Sequence, residues 1–193
     1  MNIPFCSTES PTALGRISQI LKVGGIVATT KAETYYLIGS ALSQEAIEKM
    51  YQIKKKEPQN ALVVFASNLQ MVEQLAPNIS HEAHKLAETL WPSSLVLILP
   101  VTGVPTIVTA GTNATGICCP TQKFLRQIIS ISGPIVIMTV PSEAVSNIPN
   151  VDILTDYDLQ LSKNSPVIDA REVPLRRLNS EDFESILFPK ISM

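Results

Sequence analysis

The chain has 193 residues, 45% of them hydrophobic and 17% charged, which suits one globular unit, residues 1–193, with a core and no long disordered tract, and the alternation of helix and strand patterns along it makes the class α/β. A formal net charge of −2 gives no case for broad binding to nucleic acid or membrane, so any RNA contact would rest on a local basic patch. Three cysteines cannot all pair, no apolar stretch approaches the roughly 20 residues of a membrane span, and residues 1–11 lack the basic start and apolar run of a signal peptide; together these predict a soluble, cytoplasmic protein.

In chain order, Ser10-Pro11 reads as the start of a helix carrying Leu14, Ile17 and Leu21, ended by Gly24-Gly25. The run Ile26-Val27-Ala28 predicts a strand that passes into a polar loop, Thr29 to Thr34, before Tyr35-Tyr36 and Gly39. Ser43 is set to cap a helix bearing Ile47, Met50 and Tyr51 that closes in Lys54-Lys55-Lys56 before Pro58. That cluster suits a polyphosphate, and equally suits lysines that complement the helix dipole and stay solvated. Ala61 to Ala66 reads as a strand, Asn68 and Ser80 as caps of two further helices, and Leu95 to Leu99 as a buried strand. Thr102 to Thr115 predicts a loop around a short strand at Thr106 to Val108. Ile117 to Cys119 predicts a strand that sends the adjacent Cys118 and Cys119 to opposite faces. A helix with Phe124, Leu125, Ile128 and Ile129 and the strand Ile135 to Val140 follow, and Ser180 would cap a last short helix, Glu181 to Leu187.

His81 and His84 stand three apart on a helix, but without a third ligand nearby a solvated face is the simpler reading, and no metal site is predicted. There is no phosphate-binding glycine loop and no internal repeat.

Several of these segments resemble the YrdC-like threonylcarbamoyl-AMP synthase family, whose signature runs approximately V-A-Y-P-T-E-T-V-Y-G-L-G and then K-x-R-P-x-x-x-P-L. With one inserted residue, Val27-Ala28, Glu33-Thr34, Tyr36 and Gly39 fall on that signature, and Ala32 replaces a threonine. Lys54 falls on the basic motif's lysine, Lys56 replaces its arginine, keeping charge and losing the fork, and Asn60-Ala61-Leu62 resembles its close. The stretch WPSSLVLIL from Trp91 is similar to the family's W-P-G-P-L-T-L-V-L, with Trp91 and Pro92 read as scaffold. Cys118 stands where V-R-x-P has its phosphate-contacting arginine. Thr139 opens the counterpart of S-A-N-x-S-G, whose asparagine and serine-glycine pair are missing here, and Ser165 to Asp169 resembles P-S-T-V-V-D.

The resemblance implies a twisted mixed sheet flanked by helices, with a concave, positively charged pocket. It implies joining of ATP, L-threonine and bicarbonate into threonylcarbamoyl-AMP and pyrophosphate, with Mg2+, in tRNA threonylcarbamoyladenosine modification alongside partner proteins. Carried over by position, Lys54 and Lys56 are the catalytic cations, Thr34, Tyr36 and Asn60 hold substrate, and Thr139, Ser165 and Arg176 hold the nucleotide. The departures at Lys56, Cys118 and after Thr139 all fall on charge or nucleotide ligands. They leave open a YrdC-like module that binds a nucleotide, RNA or protein without catalysis, and an enzyme that adenylates a different carbamoyl compound.

Overall fold

The structure, a computed structural model, describes residues 3–31, 34–55, 58, 60–141, 151–159, 161 and 165–178, apart from the side chains of residues 30, 31 and 34. Lys56, the residues aligned at Ala32-Glu33, the loop from Ser142 to Ala144 and the helix expected after Ser180 lie outside them.

The strands are β1 (Phe5–Cys6), β2 (Val27–Lys31), β3 (Thr34–Ser40), β4 (Val64–Phe65), β5 (Val96–Pro100), β6 (Ala114–Cys118), β7 (Ile135–Pro141), β8 (Ile153–Thr155), β9 (Val167–Asp169) and β10 (Arg176–Leu178). The helices are α1 (Ala13–Lys22), α2 (Gln44–Lys54), α3 (Leu69–Leu75), α4 (His81–Leu90), α5 (Thr106–Thr109) and α6 (Lys123–Ser132). The described strands form one mixed ten-stranded sheet in the order β1-β8-β2-β3-β7-β4-β6-β5-β9-β10. Its centre is the antiparallel pair β3 and β7, matched over seven residues from Thr34 opposite Pro141 to Ser40 opposite Ile135.

Side chains alternate between the two faces of this sheet, so each strand feeds two cores. On one face Leu37, Val64, Leu97, Leu99, Ile117, Val136, Met138 and Val140 meet Ile47 and Met50 of α2, Val72 of α3, Ala83 and Ala87 of α4 and Val108 of α5. Gly39 permits the close approach of α2, because a Cβ there would stand 2.6 Å from Met50 Sδ. On the other face Val27, Ile38, Phe65, Val96, Ile98, Cys118 and Ile135 meet Ile17 and Leu21 of α1 and Leu125, Ile128 and Ile129 of α6.

Three caps stand as the sequence predicts: Ser43 accepts from the Ala46 amide at 3.2 Å, Asn68 from Met71 at 2.9 Å and Ser80 from Ala83 at 3.2 Å. Other boundaries differ. Helix α1 is capped at Thr12, without a side-chain bond, and Ser10 instead lies a turn earlier with its carbonyl accepting from Ala13. Thr29 to Thr34 is not one loop, because β2 continues to Lys31 and pairs there with Thr34 at the start of β3. Helix α2 stops at Lys55, which turns left-handed at φ 52, before Pro58 is reached. The strand expected from Ala61 to Ala66 pairs only at Val64–Phe65, since the Leu62 amide turns to the Val108 carbonyl.

The strand expected at Thr106 to Val108 is the single helical turn α5. Pro105 sets its entry, the Thr109 hydroxyl bonds back to the Thr106 carbonyl, and Ala110 and Gly111 end it at positive φ. Local hydroxyl bonding here overrides the β preference of Thr-Ile-Val-Thr. Trp91 donates from Nε1 to the Leu95 carbonyl at 2.9 Å and packs against the first core, a scaffold role. Cys6, Cys118 and Cys119 are buried free thiols, and Cys118 and Cys119 bond to carbonyls of different loops, Ser93 and Ser67.

Candidate functional site

The site follows from how unevenly α1 and α6 cover their face. Along β7 the residues on this face are Ile135, buried; Ile137, half-buried; Thr139 and Pro141, exposed. Their neighbours on the opposite face, Val136, Met138 and Val140, are all buried. The same gradient repeats on β3, from buried Ile38 to half-buried Tyr36, on β5, from Ile98 to exposed Pro100, on β9, from Val167 to half-buried Asp169, and on β10, from Leu178 to exposed Arg176. Strand directions put all these less buried residues at one end of the sheet. On these five strands that end of the face is open, while Thr29, Thr155 and Ala114 at the same end of neighbouring strands stay buried.

Tyr36 and Thr139 are direct cross-strand partners on β3 and β7, close enough for side chains to meet. Asn60 precedes β4 at the same end, and its carbonyl accepts from Tyr51 Oη at 3.4 Å. Tyr51 lies one turn before the half-buried Lys54, which ends α2 on the opposite face of the sheet. Thr34 pairs through its backbone with Lys31 and Pro141 at this end. Arg176 stands opposite Asp169 at the far margin of the same open end.

Ser165 is not with them. The row Cys118, Val96, Val167 runs across β6, β5 and β9 at the covered end, and Ser165 lies just beyond that row, before β9 begins. Of the expected nucleotide residues, then, Thr139 and Arg176 lie at the open end and Ser165 lies toward α6.

An ion pair that the sequence did not bring forward stands at the open margin. Arg171 grips Asp169 with two bonds, Nε to Oδ1 at 2.9 Å and Nη2 to Oδ2 at 2.7 Å. Those bonds hold the Asp169 carboxyl below the ordinary carboxylate range, which keeps it ionised and engaged. The signal was the D-x-R spacing at the end of a strand, where a return turn brings i and i+2 together. Among the described residues no three His, Cys, Asp or Glu side chains gather as a metal site, and His84 is occupied by Glu73 at 2.8 Å. At the covered end burial pushes the Cys118 thiol up to about 12, so it remains neutral and unreactive near neutral pH.

A large mixed sheet with helices packed on both faces, one of them only partly covered, defines an α/β class of fold. The family model described as telomere recombination, covering Sua5, YciO and YrdC proteins, matches residues 19–177, and the chain belongs to this family. The chain is 29% identical over 132 residues to the threonylcarbamoyl-AMP synthase of Pyrococcus abyssi, covering 67% of this chain and 38% of that protein. It is 29% identical over 147 residues to the enzyme of the same name from Bacillus subtilis, covering 75% and 41%. The chain thus spans about two fifths of the length of these relatives. A structure of a P. abyssi Sua5 variant superposes with a TM-score of 0.73 at 23% identity, over 96% of this chain and 64% of that one. Escherichia coli YciO superposes at 0.71 and 15% identity, over 92% and 94%. Both share the fold, an α/β arrangement with a large sheet flanked by helices.

No helix among the described residues is long and apolar enough to cross a membrane.

Proposed function

We propose that the chain is an L-threonylcarbamoyladenylate synthase, joining ATP, L-threonine and bicarbonate with release of pyrophosphate and serving tRNA threonylcarbamoyladenosine modification with partner proteins. The observation that carries this is the open end of the sheet face with Tyr36, Thr139, Asn60 and Arg176 at or beside it, in a chain whose curated relatives bear that activity as their name. The relative from P. abyssi has been solved as a complex with L-threonine, which supports threonine as the amino acid taken here.

In this reading the rim at Thr34, Tyr36 and Asn60 receives the amino acid, and Lys54 with Lys56 neutralises carboxylate and phosphate charge. Thr139, Arg176 and Ser165 hold the nucleotide along the strands. The threonine amine takes up bicarbonate as a carbamate with loss of water. A carbamate oxygen then attacks the α-phosphorus, and the bond to pyrophosphate breaks. Such a reaction needs positioning and charge stabilisation rather than an enzyme nucleophile, in keeping with the neutral, buried Cys118. Mg2+ would come with ATP and would neutralise phosphate charge, while Asp169 is held by Arg171.

The test is omission. Purified protein with MgATP, L-threonine and bicarbonate should release pyrophosphate and form threonylcarbamoyl-AMP, identified by mass, and leaving out any one should abolish both. Folded protein that binds MgATP yet yields no threonine-dependent pyrophosphate would favour the non-catalytic module, to which the neutral thiol at Cys118 also points.

A further inference from the structure

Helix α6 carries two polar atoms that the fold leaves without partners. Gln122 Oε1, at the helix cap, and Arg126 Nε, one turn on, are both shut off from water and make no hydrogen bond. They are four residues apart and so lie on one side of the helix. Arg126 has no ion pair among the described residues, whereas Arg171 is fully engaged by Asp169. Ser18 Oγ and Thr155 Oγ1 are also buried without partners, but only Arg126 brings a positive charge, and an anionic oxygen would relieve its desolvated edge.

The location gives that oxygen a source. Helix α6 packs on the partly open face, sharing its core with Cys118, Val96 and Val167. Cys118 itself is short, uncharged and turned to the Ser93 carbonyl at 3.4 Å. Next to it burial raises the Cys119 thiol above its ordinary value, and the nearby positive charge of Arg126 offsets part of that rise. Ser165 lies just beyond the Cys118, Val96, Val167 row at this same end.

We propose that Arg126 is a nucleotide-binding residue, its guanidinium taking a phosphate oxygen of ATP at the α6 end of the face, where Cys118 offers no charge. This rests on the synthase or nucleotide-binding reading above, and it places the phosphates toward α6 and the amino acid toward Tyr36.

The experiment is calorimetric titration of the full chain with MgATP and, separately, with adenosine. Arg126→Ala should weaken MgATP at least about tenfold, make its affinity less sensitive to salt, and leave adenosine binding within about twofold. Arg126→Lys should fall between, because it keeps the charge without the fork. Equal loss of adenosine and MgATP would mean Arg126 merely supports the fold and would overturn the proposal, as would a folded Arg126→Ala or Arg126→Gln protein that binds MgATP like the parent. Absence of MgATP binding by the parent protein would instead remove the nucleotide reading itself.

Discussion

Strand β7 has two ends on one sheet face, and they differ in what covers them. At Ile135 the side chain is enclosed by α1 and α6, whereas Thr139, two pleats on, is exposed. The facing strand repeats the contrast, with Ile38 enclosed and Tyr36 half-open. The covered end carries the packing, and the open end keeps hydroxyls and cations that a core would exclude. Within one strand, then, a core and a site are separated only by where two helices stop.

The division is sharpened first by cutting into the covered end. Ile38→Ala, at a fully buried position, should cost about 2–5 kcal/mol in chemical denaturation, a large part of a small domain's stability. The folded fraction should still bind MgATP as the parent does. A loss under about 1 kcal/mol would show that the α1 and α6 layer is not a well-packed core.

At the end of α2 the expected effect moves from stability to rate. Lys54→Ala should lower threonine-dependent pyrophosphate release roughly ten- to a thousandfold, about 1.4–4 kcal/mol of transition-state stabilisation, with little change in unfolding free energy. Lys85→Ala, on α4 against the same face as α2, should stay within about twofold. Identical behaviour of the two lysines would make Lys54 a surface lysine as well.

A smaller effect comes from pH. Cys118 keeps its proton to about 12 in the folded chain, whereas an unfolded thiol loses it near about 8.5. Above that lower value the unfolded state binds fewer protons, so stability falls as pH rises, by about 1.4 kcal/mol per pH unit from this group, and below it the group contributes no slope. Denaturation between about pH 8.5 and 10 should give a flatter dependence in Cys118→Ala than in the parent, and an unchanged slope would mean that the thiol is not sealed at the covered end.

The alternation of strand and helix was legible because its signals are local: apolar periodicity at Ile17 and Leu21, and capping side chains at Ser43, Asn68 and Ser80. Boundaries failed where a distant partner decided them. The Leu62 amide is claimed by Val108, which shortens β4, and Lys31 is drawn into pairing by Thr34, which removes a loop. Of the site, motif position alone suggested Tyr36 and Thr139, and the register makes them neighbours. Arg126 was not legible, since a single arginine on an amphipathic helix looks solvated, and its buried, unpartnered Nε appears only in three dimensions.

The central claim is that ligand meets the open end of the face that α1 and α6 share, and methyl NMR tests it most directly. With MgATP and L-threonine added, the methyl signals of Ile137 and Thr139 should shift, while those of Ile47 and Val72, in the core on the opposite face, should stay within line width. Shifts centred on Ile47 and Val72 with Ile137 and Thr139 unmoved would contradict it.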